Sequence, residues 1–156
     1  MGFPVKLNRI IEAIELQTDE STAYLDKKTG DVLVIMEEEL NAAEDQEPLE
    51  EYPEWQRDNI EKARELINRE EDFLSLPTKY DINEYRIIEN FCHSLEDREI
   101  AEALFNTIHG KGAFRRFRDV IQRLKMDDEW HKYRDGAIRL IAIDWCKAND
   151  ITYSDD

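Results

Sequence analysis

The spacing of apolar residues changes several times along this chain, and each change marks an element. Leu7, Ile10, Ile11 and Ile14 recur at intervals of three and four, which predicts a short amphipathic helix over about residues 6–17. The next apolar segments, Thr22–Asp26 and Asp31–Met36, are rich in β-formers and flank Lys27-Lys28-Thr29-Gly30. A glycine supplies the left-handed conformation that closes such a turn, so the segment reads as a β-hairpin. Val32, Val34 and Met36 alternate with Leu33 and Ile35, so both faces of the second strand should be covered.

Beyond the hairpin the pattern turns acidic. Residues 37–54 carry nine acids and no base, interrupted by Pro48 and Pro53. A short helix near 38–44 followed by an extended acidic connection fits this composition. Trp55, Ile60, Ala63, Leu66 and Ile67 mark the buried stripe of a helix starting near Pro53, and Phe73–Pro77 reads as a third strand that adds to the hairpin. From Asp81 onward the period is helical. Asp81 with Glu84 and Ser94 with Asp97 are spaced as capping boxes. The first helix buries Ile82, Tyr85, Ile88, Phe91 and Cys92, and the second Ile100, Ala101, Leu104, Phe105 and Ile108, with Gly110 as its stop. The third buries Phe114, Phe117, Val120, Ile121 and Leu124. The last runs from about Asp127 to Ala148 through Trp130, Tyr133, Ala137, Leu140, Ile141 and Trp145. The expected architecture is α+β: an N-terminal helix and a small antiparallel hairpin sheet, then a C-terminal helical bundle. At 156 residues this is one domain, 1–156, with the helix and hairpin at about 5–36, the acidic connection at 37–54 and the helical part at 55–150.

Composition narrows the class. The longest unbroken apolar run is the five residues Val32–Met36, whereas a bilayer span needs about 20, so no membrane-spanning helix is expected. The first residues lack the apolar core of a secretory signal, and Lys6 stands where a myristoylation motif wants Ser or Thr. Cys92 and Cys146 both fall on or beside apolar faces, which predicts two reduced, buried thiols of a cytoplasmic protein. The net charge is −16, unevenly spread: residues 1–60 hold 16 acids and 5 bases, while residues 110–125 hold 6 bases and 1 acid. An acidic whole repels nucleic acid and anionic membrane at long range, so any such contact must be local.

The signatures of common catalytic sites are absent from the sequence. It holds no Walker-type phosphate loop, no G-x-S-x-G and no H-E-x-x-H. Gly110-Lys-Gly112 starts like a dinucleotide fingerprint, but Arg115 stands where the third glycine belongs. Cys92, His93, His109, His131 and Cys146 lack the close spacing of a structural zinc site. Glu96-Asp-Arg-Glu99 supplies half of a paired-carboxylate magnesium motif, with no second half after it. No catalytic residue, metal ligand or cofactor is expected.

One segment stands apart, His109-Gly-Lys-Gly-Ala-Phe-Arg-Arg-Phe-Arg-Asp119. Two glycines lead into a helix whose bases, Lys111, Arg115, Arg116, Arg118, Arg123 and Lys125, fill the half of the wheel opposite its apolar set. Helix N-termini present free N–H groups and partial positive charge, and guanidinium groups hold phosphate in bidentate fashion. Lys111, Gly112, Arg115, Arg116 and Arg118 are therefore the candidate anion-binding residues. The alternative is that the helix balances the protein's own acidic surface, including 37–54. Trp130 or Tyr133 would be the stacking platform if the ligand were RNA.

Several motifs together resemble a bacterial family, uncharacterised protein family 0158. They are Tyr-Leu-Asp-x-x-Thr-Gly at Tyr24–Gly30, Tyr-Pro-Glu-Trp-Gln at Tyr52–Gln56, Asp-Ile-x-Glu-Tyr-Arg-Ile at Asp81–Ile87, Phe91-Cys92, and Gly-x-Gly-Ala-Phe-Arg-Arg-Phe at Gly110–Phe117. The resemblance spans nearly the whole chain and implies a bacterial, cytosolic protein. It implies no mechanism. The leading expectation is a small acidic binding or regulatory protein without catalysis, with a protein partner on the acidic segment 37–54. Its variant is a nucleic-acid mimic. A phosphate-ligand or RNA-binding module at Gly110–Arg118 and an enzyme with a dispersed acidic site are the alternatives.

Overall fold

The computed structural model describes residues 4–155. A two-residue strand, β1 (Val5–Lys6), runs into α1 (Leu7–Leu16), and the hairpin is formed by β2 (Ser21–Asp26) and β3 (Val32–Met36). The acidic segment holds α2 (Glu37–Glu44) and a single 3-10 turn at Leu49–Glu51, followed by α3 (Glu54–Asn68). Then come β4 (Phe73–Ser75), the one-turn α4 (Lys79–Ile82), α5 (Glu84–Ser94), α6 (Arg98–Phe105), α7 (Ala113–Arg123), α8 (Asp127–Ala148) and β5 (Tyr153–Ser154). The fold is α+β, as the apolar spacing predicts. No described helix is long and apolar enough to cross a membrane.

The chain divides into two compact units: residues up to Asp81 with those from Ala142 onward, and Ile82–Ile141. In the first unit β2 is the central strand of an antiparallel sheet ordered β3-β2-β4. Leu25 lies opposite Val32 and Leu74, and Tyr24 opposite Leu33 and Ser75. Gly30 takes φ +79°, the left-handed geometry the turn requires. Tyr24 and Leu33 share one face, and they pack with Ile35 against Ala42, Ala43, Ile60 and Ala63 of α2 and α3. Ala23 and Leu25 point the other way, and α1, which buries Leu7, Ile10, Ala13 and Ile14, packs against β3. Both faces of the hairpin are thus covered, although Val32, Leu33 and Val34 of the edge strand stay half-buried.

Three buried polar side chains pin this unit, each with its partners. Gln17 accepts from the Ala23 amide (3.0 Å) and donates to the Pro77 carbonyl (2.7 Å). Asp26 accepts from the Lys28 amide and from Arg69 Nη2 at 2.6 Å. Glu39, fully buried, accepts from the Met36 amide (2.9 Å) and Asn59 (3.2 Å), closing the N-terminus of α2. Such partners are required, because a buried polar group left unpaired costs about 1–3 kcal/mol.

The second unit is built on an aromatic cluster. Phe91 of α5, Phe117 of α7 and Trp130 of α8 meet edge to face, with centroids 5.0–6.3 Å apart. Ile87, Ile88, Leu104, Ile108, Ile121 and Ile138 are buried in the same unit. Arg134 of α8 holds Glu84 of α5 through its Nε at 2.9 Å. Cys92 and Cys146 are both free and buried.

Several expectations need correction. The N-cap of α5 is Asn83, in the left-handed region, whose side chain accepts from the Arg86 amide. Asp81 instead caps the turn before it, accepting from the amide and hydroxyl of Thr78. Asp97 is itself the N-cap of α6, accepting from the Glu99 and Ile100 amides, while Ser94 donates back to the Phe91 carbonyl. Asx residues cap through N2 and N3, so a carboxylate three places on is not needed. The stripe of α3 holds at Ile60, Ala63 and Leu66, but its first turn buries Gln56 and leaves Trp55 71% exposed, whereas the stripe of α8 is displaced by one residue, to Ile138, Ala142 and Cys146 from the expected Ala137, Ile141 and Trp145. In α8, Ile138 is buried and Leu140 is 61% exposed. The parallel pair β1–β5, joining Val5 to Tyr153, is too short to leave any periodicity in the sequence.

Candidate functional site

The glycine-flanked basic segment forms a turn and the start of α7. Helix α6 ends in a 3-10 turn at Asn106–Ile108, and Gly110 and Gly112 both take positive φ, +77° and +74°. Gly112 is the N-cap, and having no side chain it caps nothing. The first amide to be satisfied is that of Arg116, by the Gly112 carbonyl at 3.0 Å. No well-formed hydrogen bond satisfies the amides of Ala113, Phe114 and Arg115 among the described residues, the Gly110 carbonyl only approaching one of them across the Lys111–Gly112 turn, and the first turn holds no acid. The helix therefore presents bare N–H groups and its positive dipole end to solvent.

The five predicted residues do not act alike. Arg116 folds back over the turn and donates to three carbonyls, Thr107 through Nε (3.2 Å), Lys111 through Nη1 and His109 through Nη2. Three of its five N–H donors thereby hold the turn in shape, and the other two are left for solvent or a ligand. Lys111, Arg115 and Arg118 are exposed, and none forms an ion pair with a described carboxylate of its own unit. Phe117 and Ile121, fully buried on the opposite side, fix the direction in which these bases point.

An open cleft of about 410 Å³ adjoins the turn, lined by Tyr85, Ile108, His109, Phe114 and Arg115 among others. Phe114 was expected in the core; it is 44% exposed, and Tyr85 is 38% exposed. Their rings, with that of the exposed His109, are accessible from the cleft. Trp130, by contrast, is only 8% exposed and locked between Phe91 and Phe117, and Tyr133 packs on Phe91 at 5.3 Å. Trp130, so enclosed, offers no ring face to a ligand, whereas Tyr133 is half-buried. Wheel geometry alone does not separate Phe114 from Phe117; the packing of Phe91 and Trp130 on Phe117 does. His109 and His93 both pack against Phe105, at 5.2 and 5.6 Å.

Charge divides sharply between the units. Residues 82–141 hold 11 acids and 11 bases, net zero, whereas the rest of the chain holds 26 acids and 10 bases and so carries the whole −16. The basic segment thus sits in the unit that carries no net charge of its own. In the acidic unit an open groove of about 420 Å³ lies along α2, lined by Glu37, Glu38, Asp45, Glu47, Met36 and Tyr52 among others. The Tyr52 hydroxyl donates to Glu47, and this bond, with burial and the charges of Glu47, Glu38 and Glu51, pushes its pKa up to about 12. Among the described residues no three of His, Cys, Asp and Glu converge closely enough to hold a metal ion.

A family model described as Uncharacterised protein family (UPF0158) matches residues 3–155, and the chain belongs to that family. No curated protein and no solved structure matches the chain.

Proposed function

We propose that this member of an uncharacterised family is a non-catalytic binding protein that takes a phosphate-bearing ligand at the start of α7. The observation that carries the reading is the combination at one turn of three unsatisfied amides with the unpaired bases Lys111, Arg115 and Arg118. Amides and helix dipole select negative charge, and guanidinium groups add bidentate contacts to phosphate oxygens. Arg116 contributes by preorganising the turn, which lowers the ordering cost of binding. The adjoining cleft, with Tyr85 and Phe114 on its wall, suits a ligand that carries a planar or apolar group beside its phosphate. A bacterial cytosolic setting belongs to the same proposal, and two free, buried thiols suit a reducing compartment.

The test is a titration with inorganic pyrophosphate followed by backbone amide NMR. Saturable shifts centred on Ala113, Phe114 and Arg115 are expected. Shifts spread evenly over every exposed base, or none at all, would overturn the reading.

A further inference from the structure

The acidic unit offers a second surface, independent of α7. Its net charge of −16 is that of the entire chain, and nine of its carboxylates fall within residues 37–54. Along α2 they line an open groove rather than a chelating cage: Glu37, Glu38, Asp45 and Glu47 stand around Met36 and Tyr52, and no three of the described His, Cys, Asp and Glu residues converge to hold a metal. Dispersed charge of this kind matches an extended cation better than a compact one. Met36 is 36% exposed beside the groove. Three residues after Tyr52, and so within about 11 Å of it along the chain, Trp55 opens α3 with 71% of its surface in solvent. It does not belong to the apolar cluster beneath α2 and α3. Glu50, Glu51, Glu54 and Asp58 surround it in sequence. An indole left in water among carboxylates has no packing role in the fold, whereas Trp is the aromatic ring that best receives a cation and is enriched at binding hot spots.

We propose that the α2–α3 face docks a basic, arginine-rich segment of a partner protein, with the groove carboxylates pairing its charges and Trp55 stacking on a guanidinium. Charge complementarity argues for this occupant: a unit at −16 attracts basic chains at long range and speeds their encounter. Trp55 and Met36 argue for a peptide over a bare polyamine, which has no use for apolar contact.

The experiment uses the intact protein and an arginine–glycine repeat peptide, with affinity measured calorimetrically at physiological ionic strength and binding also read from tryptophan fluorescence. Saturable binding is expected, weakened roughly fivefold by Trp55→Ala, the upper range for an exposed cation–π contact, and largely retained by Trp55→Phe. The triple variant Glu37→Gln, Glu38→Gln, Asp45→Asn should weaken it further. An equally neutralised control, Glu12→Gln, Asp31→Asn, Glu70→Gln, removes exposed charges of the same unit outside α2 and α3 and should leave affinity nearly unchanged; melting curves confirm that each variant folds. Equal losses in the two triple variants would show that overall charge alone attracts the peptide and would overturn the proposal. Absence of binding, or an affinity indifferent to Trp55 and matched by spermidine, would overturn it too.

Discussion

Replacing Arg116 with alanine removes three hydrogen bonds at once, to the carbonyls of Thr107, His109 and Lys111. Fully desolvated bonds from a charged donor contribute about 1.5–3 kcal/mol each, but Arg116 is exposed and water replaces much of what is lost. A total of about 1–2 kcal/mol follows, which in a chain of this size lowers Tm by roughly 2–8 °C. Lysine is a poor substitute, since one ammonium cannot fan across three carbonyls as a planar guanidinium does. Arg116→Lys should recover less than half of the loss. Arg115→Ala and Arg118→Ala, which remove solvated side chains, should each stay within about 0.5 kcal/mol of wild type. Calorimetry or thermal melts followed by circular dichroism, with all four variants in the same buffer, give the comparison. Should Arg116→Ala melt with wild type, or Arg115→Ala cost as much as Arg116→Ala, the division between a structural and two ligand-facing arginines would be refuted.

Gly30→Ala should cost about 1–2 kcal/mol in urea titration, because an added Cβ meets only Val5 Cγ2 at 3.9 Å and the penalty is the left-handed backbone itself. Phe117→Ala empties the centre of the aromatic cluster and should cost about 3–5 kcal/mol, far more than Phe114→Ala on the exposed side of the same helix. Burial raises the Cys92 and Cys146 thiols from 9.0 to about 11, so the folded state holds protons that the unfolded state has released. Stability should therefore fall as pH rises from about 9 toward 11, and the double variant Cys92→Ala, Cys146→Ala should flatten that limb of a pH–stability curve. Native-state labelling of either thiol at pH 8 should be slow.

Elements long enough to carry a period were legible before any coordinates: α1, the hairpin, α3, α7 and α8 each repeat their buried positions at least twice. The register of those stripes was less legible at the first turn of α3 and along α8. Trp55 and Leu140 are apolar and sit at helical spacing, yet the first turn of α3 and the middle of α8 have nothing packed against those positions, and only tertiary placement decides that. The β1–β5 pair rests on a few backbone hydrogen bonds and the caps at Asn83 and Asp97 on one or two from amides to a side-chain oxygen, below the resolution of any pattern. Within the candidate site, clustering of bases and glycines was readable from spacing. The different fate of Arg116 was not, because its partners are carbonyls five to nine residues upstream, and a carbonyl has no sequence signature. Tyr85 reaches the same cleft from another helix, a long-range placement that one sequence cannot reveal.

Melting temperature in phosphate against chloride, at equal ionic strength, tests anion binding at α7 most directly. Wild type is compared with Arg115→Ala, Arg118→Ala, which keeps Arg116 and so keeps the turn. In wild type, phosphate should stabilise the fold in step with its concentration, by roughly 2.7 kcal/mol at a hundredfold excess over the dissociation constant. The double variant should melt alike in both salts. An equal phosphate shift in the two proteins would contradict a phosphate site at Lys111, Arg115 and Arg118 and leave those bases as solvated surface.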